Sequence, residues 1–147
     1  MKFLHAADIH LDIPLADLRA HADLPGRVIH HCTRRVFSAM VDLARDEDVA
    51  FVVIAGDLYD GEWKDFSTGL FLAEEMRRLS RPCLLLSGNH DARSVITRNL
   101  RAPATVHEFS SRTCETFDLP DLGIALHGHS FRDQTAWLMI SAGKRWR

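Results

Sequence analysis

Few cysteines occur in this chain of 147 residues, and none of them forms a paired motif. Cys32, Cys83 and Cys114 are far apart, and no two have the Cys-x-x-Cys spacing that is typical of structural zinc sites. An odd number of separated cysteines also argues against a disulfide framework. The cysteine pattern therefore predicts a reduced, cytoplasmic setting.

Long hydrophobic runs and a charge excess are also missing. No apolar run approaches the ~20 residues that a membrane span requires, so no membrane association is expected. The net charge of −2 argues against a generally basic surface for nucleic acid. It does not exclude a nuclease, because bound cations supply local positive charge. The length suits one domain, which we place at residues 1–147.

The feature around which the chain is organised is the segment FVVIAGDLYD, Phe51–Asp60. Its continuous apolar run ends in glycine, which is typical of a strand buried on both faces. Asp57 follows directly, where a strand end would place a carboxylate for metal chemistry. The segment predicts a buried strand that carries a metal ligand.

Strands and helices alternate in the first two thirds of the chain. The predicted strands are Lys2–Ala7, Val49–Ala55 and Cys83–Leu86, and the predicted helices are Val28–Glu47 and a helix capped by Asp65 that runs to Leu79. Alternation of this kind predicts an α/β fold with a parallel sheet. The last third predicts short strands at Thr105–Phe109, Arg112–Phe117 and Gly123–His127, and a terminal helix at Asp133–Ser141.

Spacing of apolar residues predicts the buried face of each helix. In the first helix these residues are Cys32, Val36, Phe37, Met40, Leu43 and Ala44, and in the second they are Phe66, Leu70, Ala73 and Met76. Both faces are expected to cover the sheet.

Five metal-capable residues follow the three predicted strands, and they are Asp8, His10, Asp57, Asn89 and His90. The carboxyl ends of parallel strands lie along one edge of a sheet, which is where ligands bind. Hard oxygen ligands mixed with imidazole suit Mn, Fe or Zn. The carboxylate of Asp57 has two oxygens and could bridge two ions about 3.5–4 Å apart, an arrangement that activates water against a phosphoryl group.

Three short motifs resemble the calcineurin-like metallophosphoesterases: Asp8–His10, Gly56–Asp60 and Gly88–Asp91. The wider segments HAADIHLDIPL and IAGDLYDG are similar to its DNA-repair exonuclease branch, which includes the nuclease subunit of the bacterial SbcCD complex and its YhaO-type relatives. The resemblance covers about residues 1–131. It implies a metallophosphoesterase-type αββα sandwich, of which this chain would supply the N-terminal half and a few extra strands.

The resemblance also implies a role for each motif residue. Asp8 and His10 would hold the first metal ion, Asp57 would bridge, and Asn89 would hold the second. The two divalent ions would be Mn²⁺ foremost, with Fe or Zn as alternatives. His90 would act as a catalytic residue that contacts the scissile phosphate or protonates the leaving group, with Asp91 as its supporting partner.

The chain departs from the family pattern near its end. The family closes with Gly-His-x-His, whereas Phe131 stands here where the second histidine is expected. We interpret His127 and His129 as strand or loop residues, with replacement metal ligands as the alternative. The second metal would then have only Asp57 and Asn89 from the protein. The chain is therefore expected to be either truncated at its C-terminus or a reduced form with weak metal affinity.

Three functions remain open from the sequence. The first is metal-dependent, exonuclease-like hydrolysis of DNA. The second is hydrolysis of cyclic nucleotides or small phosphoesters. The third is a truncated remnant that binds metal with weak or no activity. The resemblance further implies a coiled-coil ATPase partner of the SbcC type and a homodimer.

Overall fold

The computed structural model describes residues 1–12, 32–59, 66–91 and 103–132. In these ranges, one sheet contains β1 (Leu4–Ala7), β2 (Val52–Ala55), β3 (Cys83–Leu86) and β4 (Val106–Glu108). The helices are α1 (Cys32–Asp46) and α2 (Phe66–Leu79). A hairpin consists of β5 (Glu115–Leu119) and β6 (Ile124–Gly128), joined by a 3₁₀ turn at Pro120–Leu122.

The four-stranded sheet is parallel throughout, and its strand order β1-β2-β3-β4 follows the chain. Leu4 pairs with Val52, Val52 with Cys83 and Cys83 with Val106. The three strands predicted from the sequence are all present, and the segment predicted as Thr105–Phe109 joins them as β4. The predicted alternation of strand and helix is therefore confirmed.

Both helices pack on the same face of this sheet. Alternate side chains of a strand point to opposite faces, and one face carries the large apolar residues of β2 and β3. The core of this layer includes Phe37, Val41, Ala44, Val52, Ile54, Met76, Leu79, Cys83 and Leu85. No helix in the described part of the chain is long and apolar enough to cross a membrane.

The predicted buried face of the first helix was partly wrong. Phe37, Val41 and Ala44 are buried, whereas Val36 and Leu43 are 70% and 54% exposed. At 3.6 residues per turn, Val36 and Leu43 lie on the same side of α1, roughly 100–120° away from Phe37. Leu70 on α2 is likewise exposed, while Ala73 and Met76 are buried as predicted.

The hairpin β5–β6 covers the opposite face of the sheet. Its apolar side chains pack with Phe51, Leu84 and Phe109, and they include Phe117, Leu119, Ile124 and Leu126. Helices, parallel sheet and hairpin thus form three layers, and the predicted α/β sandwich class is confirmed.

The hairpin strands begin later than predicted. Arg112–Phe117 was expected as a strand, but Arg112 lies in a turn in which its backbone N–H donates to Ser110 Oγ at 3.0 Å. Glu115 accepts from the Ser110 backbone N–H at 2.9 Å, which closes that turn. Strand pairing therefore starts at Glu115 and extends to Leu119, a buried residue. The predicted helix Asp133–Ser141 and the Asp65 cap lie outside the described residues.

Candidate metal centre

Three loops lie side by side at the carboxyl edge of the parallel sheet. They follow β1, β2 and β3, and they carry the three motifs. The backbone N–H of Asp8 donates to the Gly56 carbonyl at 3.2 Å, and that of Gly56 donates to the Leu86 carbonyl at 2.8 Å. The strand ladder thus continues into the loops and fixes them relative to one another.

Asp8, His10 and Asp57 form one cluster at this edge. Each offers a ligand atom, and these atoms all lie within 4.8 Å of one another. His10 Nδ1 is buried and has no hydrogen-bond partner among the described residues. A buried polar atom without a partner is costly, and a divalent cation would satisfy it. Two carboxylates and an imidazole therefore fit the predicted metal.

All three cluster residues have a left-handed backbone, which the sequence does not reveal. Their φ angles are 51° at Asp8, 46° at His10 and 47° at Asp57. Asp and His tolerate this region better than most residues, but it still costs about 1–2 kcal/mol per residue. Strain of this kind collects at functional sites and persists only where the surrounding structure enforces it.

The loop after β3 brings His90 to the same cluster. The His90 backbone N–H donates to Asp57 Oδ1 at 3.0 Å. The rings of His10 and His90 lie 5.3 Å apart, centroid to centroid, and are nearly perpendicular. Asn89 is half-buried in the turn between Gly88 and His90. Asp8, His10, Asp57 and His90 thus come together, and the role of Asn89 as a ligand of a second metal stays a prediction.

Gly88 allows the second and third loops to approach each other. A Cβ atom at this position would lie 2.2 Å from Asp57 Oδ1 and 2.4 Å from the Asp57 backbone nitrogen. No side chain fits at such distances, so any residue other than glycine would displace the Asp57 carboxylate.

Asp91 links the loop after β2 to the loop after β3. Its carboxylate is buried and accepts the backbone N–H groups of Leu58 at 3.1 Å, Tyr59 at 2.7 Å and Gly88 at 2.8 Å. Burial raises the pKa of Asp91, the three N–H donors lower it, and the nearby Asp57 carboxylate raises it. These contacts show that Asp91 joins the two loops, and its predicted role as the supporting partner of His90 in catalysis stays a prediction.

The histidines near the end of the described chain lie on the hairpin. His127 is exposed on β6 and its Nδ1 is 2.8 Å from Thr116 Oγ1. His129 is exposed just beyond that strand. Neither belongs to the cluster of Asp8, His10 and Asp57, in agreement with their interpretation as strand and loop residues.

Ser130 is a residue that the sequence did not single out. It is 1% exposed. Its hydroxyl donates to the Phe109 carbonyl at 2.6 Å and accepts the Ser87 backbone N–H at 3.0 Å. The Phe131 backbone N–H donates to the Ser87 carbonyl at 2.8 Å. The segment that directly follows the hairpin therefore holds the start of the loop that carries Asn89 and His90. Within this segment, Phe131 occupies the position where the family pattern led us to expect a metal ligand.

Comparison with known proteins identifies the family of the chain. Residues 1–144 match the family of calcineurin-like phosphoesterases, and the chain belongs to that family. It is also similar to an uncharacterized metallophosphoesterase, YhaO, of Bacillus subtilis strain 168, with 31% identity. That alignment covers 100% of this chain and 37% of the relative, so the chain spans little more than a third of the relative's length.

The description of the matching family refers to hydrolysis of phosphoesters. The cluster of Asp8, His10 and Asp57 supplies a candidate site for a divalent metal.

Proposed function

We propose that this chain carries the metal-binding part of a phosphodiester hydrolase that acts on DNA ends in the manner of an exonuclease. The observation that supports the reaction is the convergence of Asp8, His10, Asp57 and His90 at one sheet edge. The choice of DNA rests on the sequence segments around Asp8 and Asp57, which are similar to the DNA-repair exonuclease branch.

The metal ions would be held by the motif residues. Asp8, His10 and Asp57 would bind the first ion, and Asp57 with Asn89 would bind the second, with Mn²⁺ as the preferred metal. When bound, such ions polarise a phosphoryl oxygen and lower the pKa of water. The donors fit because they combine hard carboxylate oxygens with an imidazole nitrogen.

The remaining residues would orient the reaction. Water adds to phosphorus, the ester P–O bond breaks, and the leaving oxygen takes a proton. His90 lies beside His10 and is the candidate to donate that proton or to contact the phosphate. Proton transfer by a positioned side chain typically contributes about 10²–10⁴-fold to a rate. Asp91 and Gly88 would hold Asp57 and His90 at a fixed separation.

A small phosphoester is the second candidate substrate, and the pairing of surface arginines favours it. Arg77 bonds Glu74 at 3.1 Å, Arg78 pairs with Glu75 and Asp42, and Arg81 pairs with Asp48. The basic residues at the end of α2 are therefore neutralised by nearby carboxylates. Within the described residues they form no free basic surface for a phosphate backbone, which a large DNA substrate would require.

Replacement of Asp57 by alanine tests the proposed reaction. Asp57→Ala removes the bridging carboxylate, and we expect loss of Mn²⁺ binding by calorimetry and loss of DNA cleavage. The matched control is Asp118→Ala, which removes an exposed carboxylate on β5 and should change neither. Substrates would be duplex DNA with free ends, circular DNA, cyclic nucleotides and an aryl phosphodiester.

Three outcomes of that experiment each support one function, and a fourth contradicts the proposed site. Manganese-dependent shortening of linear DNA, lost in Asp57→Ala, supports the nuclease. Hydrolysis of cyclic nucleotides without attack on DNA supports the small-substrate enzyme. Metal binding without any hydrolysis supports an inactive remnant, and DNA cleavage that survives Asp57→Ala contradicts the proposed site.

The proposed partners rest on the same resemblance. We propose a cytoplasmic location, a coiled-coil ATPase of the SbcC type as a partner, and a homodimer. Co-purification of this chain with such an ATPase, and sedimentation of the chain alone, would test these proposals.

A further inference from the structure

The loop after β1 has an unusual backbone beyond its two metal-capable residues. Asp8, His10 and Asp12 alternate with Ile9 and Leu11, and all three have positive φ angles, with 61° at Asp12. The backbone N–H groups of His10 and Leu11 donate to the carbonyls of Asp57 and Leu58, at 2.9 and 2.8 Å. A loop in this conformation requires a fixed point at its far end.

Asp12 supplies that fixed point. It is 2% exposed, and its two carboxylate oxygens accept from Arg34 Nε at 3.0 and 2.8 Å and from Arg34 Nη2 at 2.5 Å. Thr68 Oγ1 donates to the same carboxylate at 2.6 Å. The Asp12 backbone N–H donates to Thr33 Oγ1 at 3.1 Å. One buried side chain thus joins the loop to α1 through Arg34 and to α2 through Thr68.

Arg34 is itself held in place by α2. Its Nη2 donates to Ser67 Oγ at 2.8 Å, and its guanidinium lies over the Phe71 ring at 5.2 Å from the centroid. The planar guanidinium can bind a carboxylate through two N–H groups in a fixed orientation. Arg34 therefore defines where the Asp12 carboxylate lies relative to both helices.

We propose that Asp12 and Arg34 position the loop of Asp8 and His10 for metal binding, an inference that rests on the proposed metal-dependent function. Asp12 is two residues from His10, and the residue between them, Leu11, is 0% exposed in the core. A buried ion pair is often no more stabilising than apolar residues of the same volume. Its presence here is better explained by the geometry that it imposes on the loop.

A comparison of two arginines separates positioning from stability. Arg34→Gln removes the anchor of Asp12. Arg78→Gln is the matched control, because Arg78 also links the two helices, through Glu75 of α2 and through Asp42 and the Ser38 carbonyl of α1. The side chains of Arg34 and Arg78 are similarly exposed, at 23% and 30%.

Calorimetric titration with Mn²⁺ should distinguish the two variants. We expect the Kd to rise at least tenfold in Arg34→Gln, as for the loss of residues that orient metal ligands. It should stay within about twofold of the wild type in Arg78→Gln, since additivity holds for independent sites. Thermal unfolding of the same samples should show a lower midpoint for both variants.

Two further measurements test the proposal even if the Arg34→Gln variant folds poorly. Thr68→Val removes one hydrogen bond to Asp12 and changes no charge, and it should raise the Mn²⁺ Kd by several-fold. In the metal-free chain, hydrogen exchange at the His10 and Leu11 amides should be at least tenfold faster in Arg34→Gln and in Thr68→Val than in Arg78→Gln.

Failure of this inference is distinguishable from failure of the proposed function. Wild-type affinity for Mn²⁺ in Arg34→Gln and Thr68→Val, with unchanged exchange at His10 and Leu11, would overturn the inference and leave the function intact. A wild-type chain that binds no Mn²⁺ would overturn the proposed function, and amide exchange would still decide whether Asp12 anchors the loop.

Discussion

Replacement of Gly88 by alanine tests the geometry of the site with a single methyl group. The added Cβ would lie 2.2 Å from Asp57 Oδ1, 2.4 Å from the Asp57 nitrogen and 2.8 Å from Asp57 Cγ. Two of these atoms are in the side chain that we expect to bind metal, and one is in the backbone. Rotation of the side chain alone therefore cannot relieve the contact.

The size of the effect follows from these distances. Non-bonded carbon atoms prefer separations of about 3.5–4.0 Å, so Asp57 must retreat by roughly 1 Å or more. Overpacking of this kind destabilises a fold by about 1–3 kcal/mol. A displacement of about 1 Å in a catalytic group can reduce a rate by roughly 100-fold. We expect the Mn²⁺ affinity to fall by about 10–100-fold, as for lost supporting contacts.

The assay is Mn²⁺ titration of Gly88→Ala beside urea unfolding of the same protein. Gly123→Ala is the control, because Gly123 has a φ of 65° and an added Cβ there would meet no atom within 4 Å. That change should cost about 1–2 kcal/mol through backbone strain, and it should leave metal affinity unchanged. Wild-type Mn²⁺ affinity in Gly88→Ala would refute the close packing of Gly88 against Asp57.

Two further predictions concern buried groups. Asp91→Asn replaces one acceptor oxygen by an NH₂ group, so one of the three backbone N–H donors is left unpaired. The free energy of unfolding in urea should therefore fall by about 1–3 kcal/mol. An unchanged unfolding midpoint would contradict this prediction. Burial raises the pKa of Cys83 from 9.0 to about 12. Above about pH 9 the unfolded chain loses this thiol proton and the folded chain keeps it, so stability falls by up to about 1.4 kcal/mol per pH unit. Cys83→Ala should remove that part of the slope between about pH 9 and pH 12, and equal slopes for both proteins would contradict the assignment.

The sheet could be predicted well from the sequence, because the patterns that indicate strands involve only neighbouring residues. The apolar segment before Asp57 has the pattern of a buried strand, and it is one. The alternation of strands and helices predicts parallel pairing. Parallel pairing brings Asp8 and His90 to the same edge of the sheet as Asp57, because the carboxyl ends of all strands lie there. Convergence of the three motifs was therefore foreseeable from their order along the chain.

The residues that support the site could not be predicted in this way. Asp12 bonds residues 22 and 56 positions away, and Ser130 bonds Ser87, which is 43 positions away. No local period encodes such contacts. The face of α1 was misjudged for a related reason, because Val36 and Leu43 satisfy helical spacing although the sheet selects Phe37 and Val41.

The strand order of the parallel sheet has a consequence for synthesis of the protein. Because β1 to β4 are arranged in chain order, each strand can join the sheet as soon as it leaves the ribosome, without waiting for a later neighbour. The four residues predicted to bind metal, Asp8, His10, Asp57 and Asn89, lie before residue 92. About 40 further residues separate Asp91 from Ser130, which is about 2–8 s of translation. In the nascent chain, the loops that carry the predicted metal ligands should therefore come together first. Ser130 should form its hydrogen bonds to the loop after β3 later.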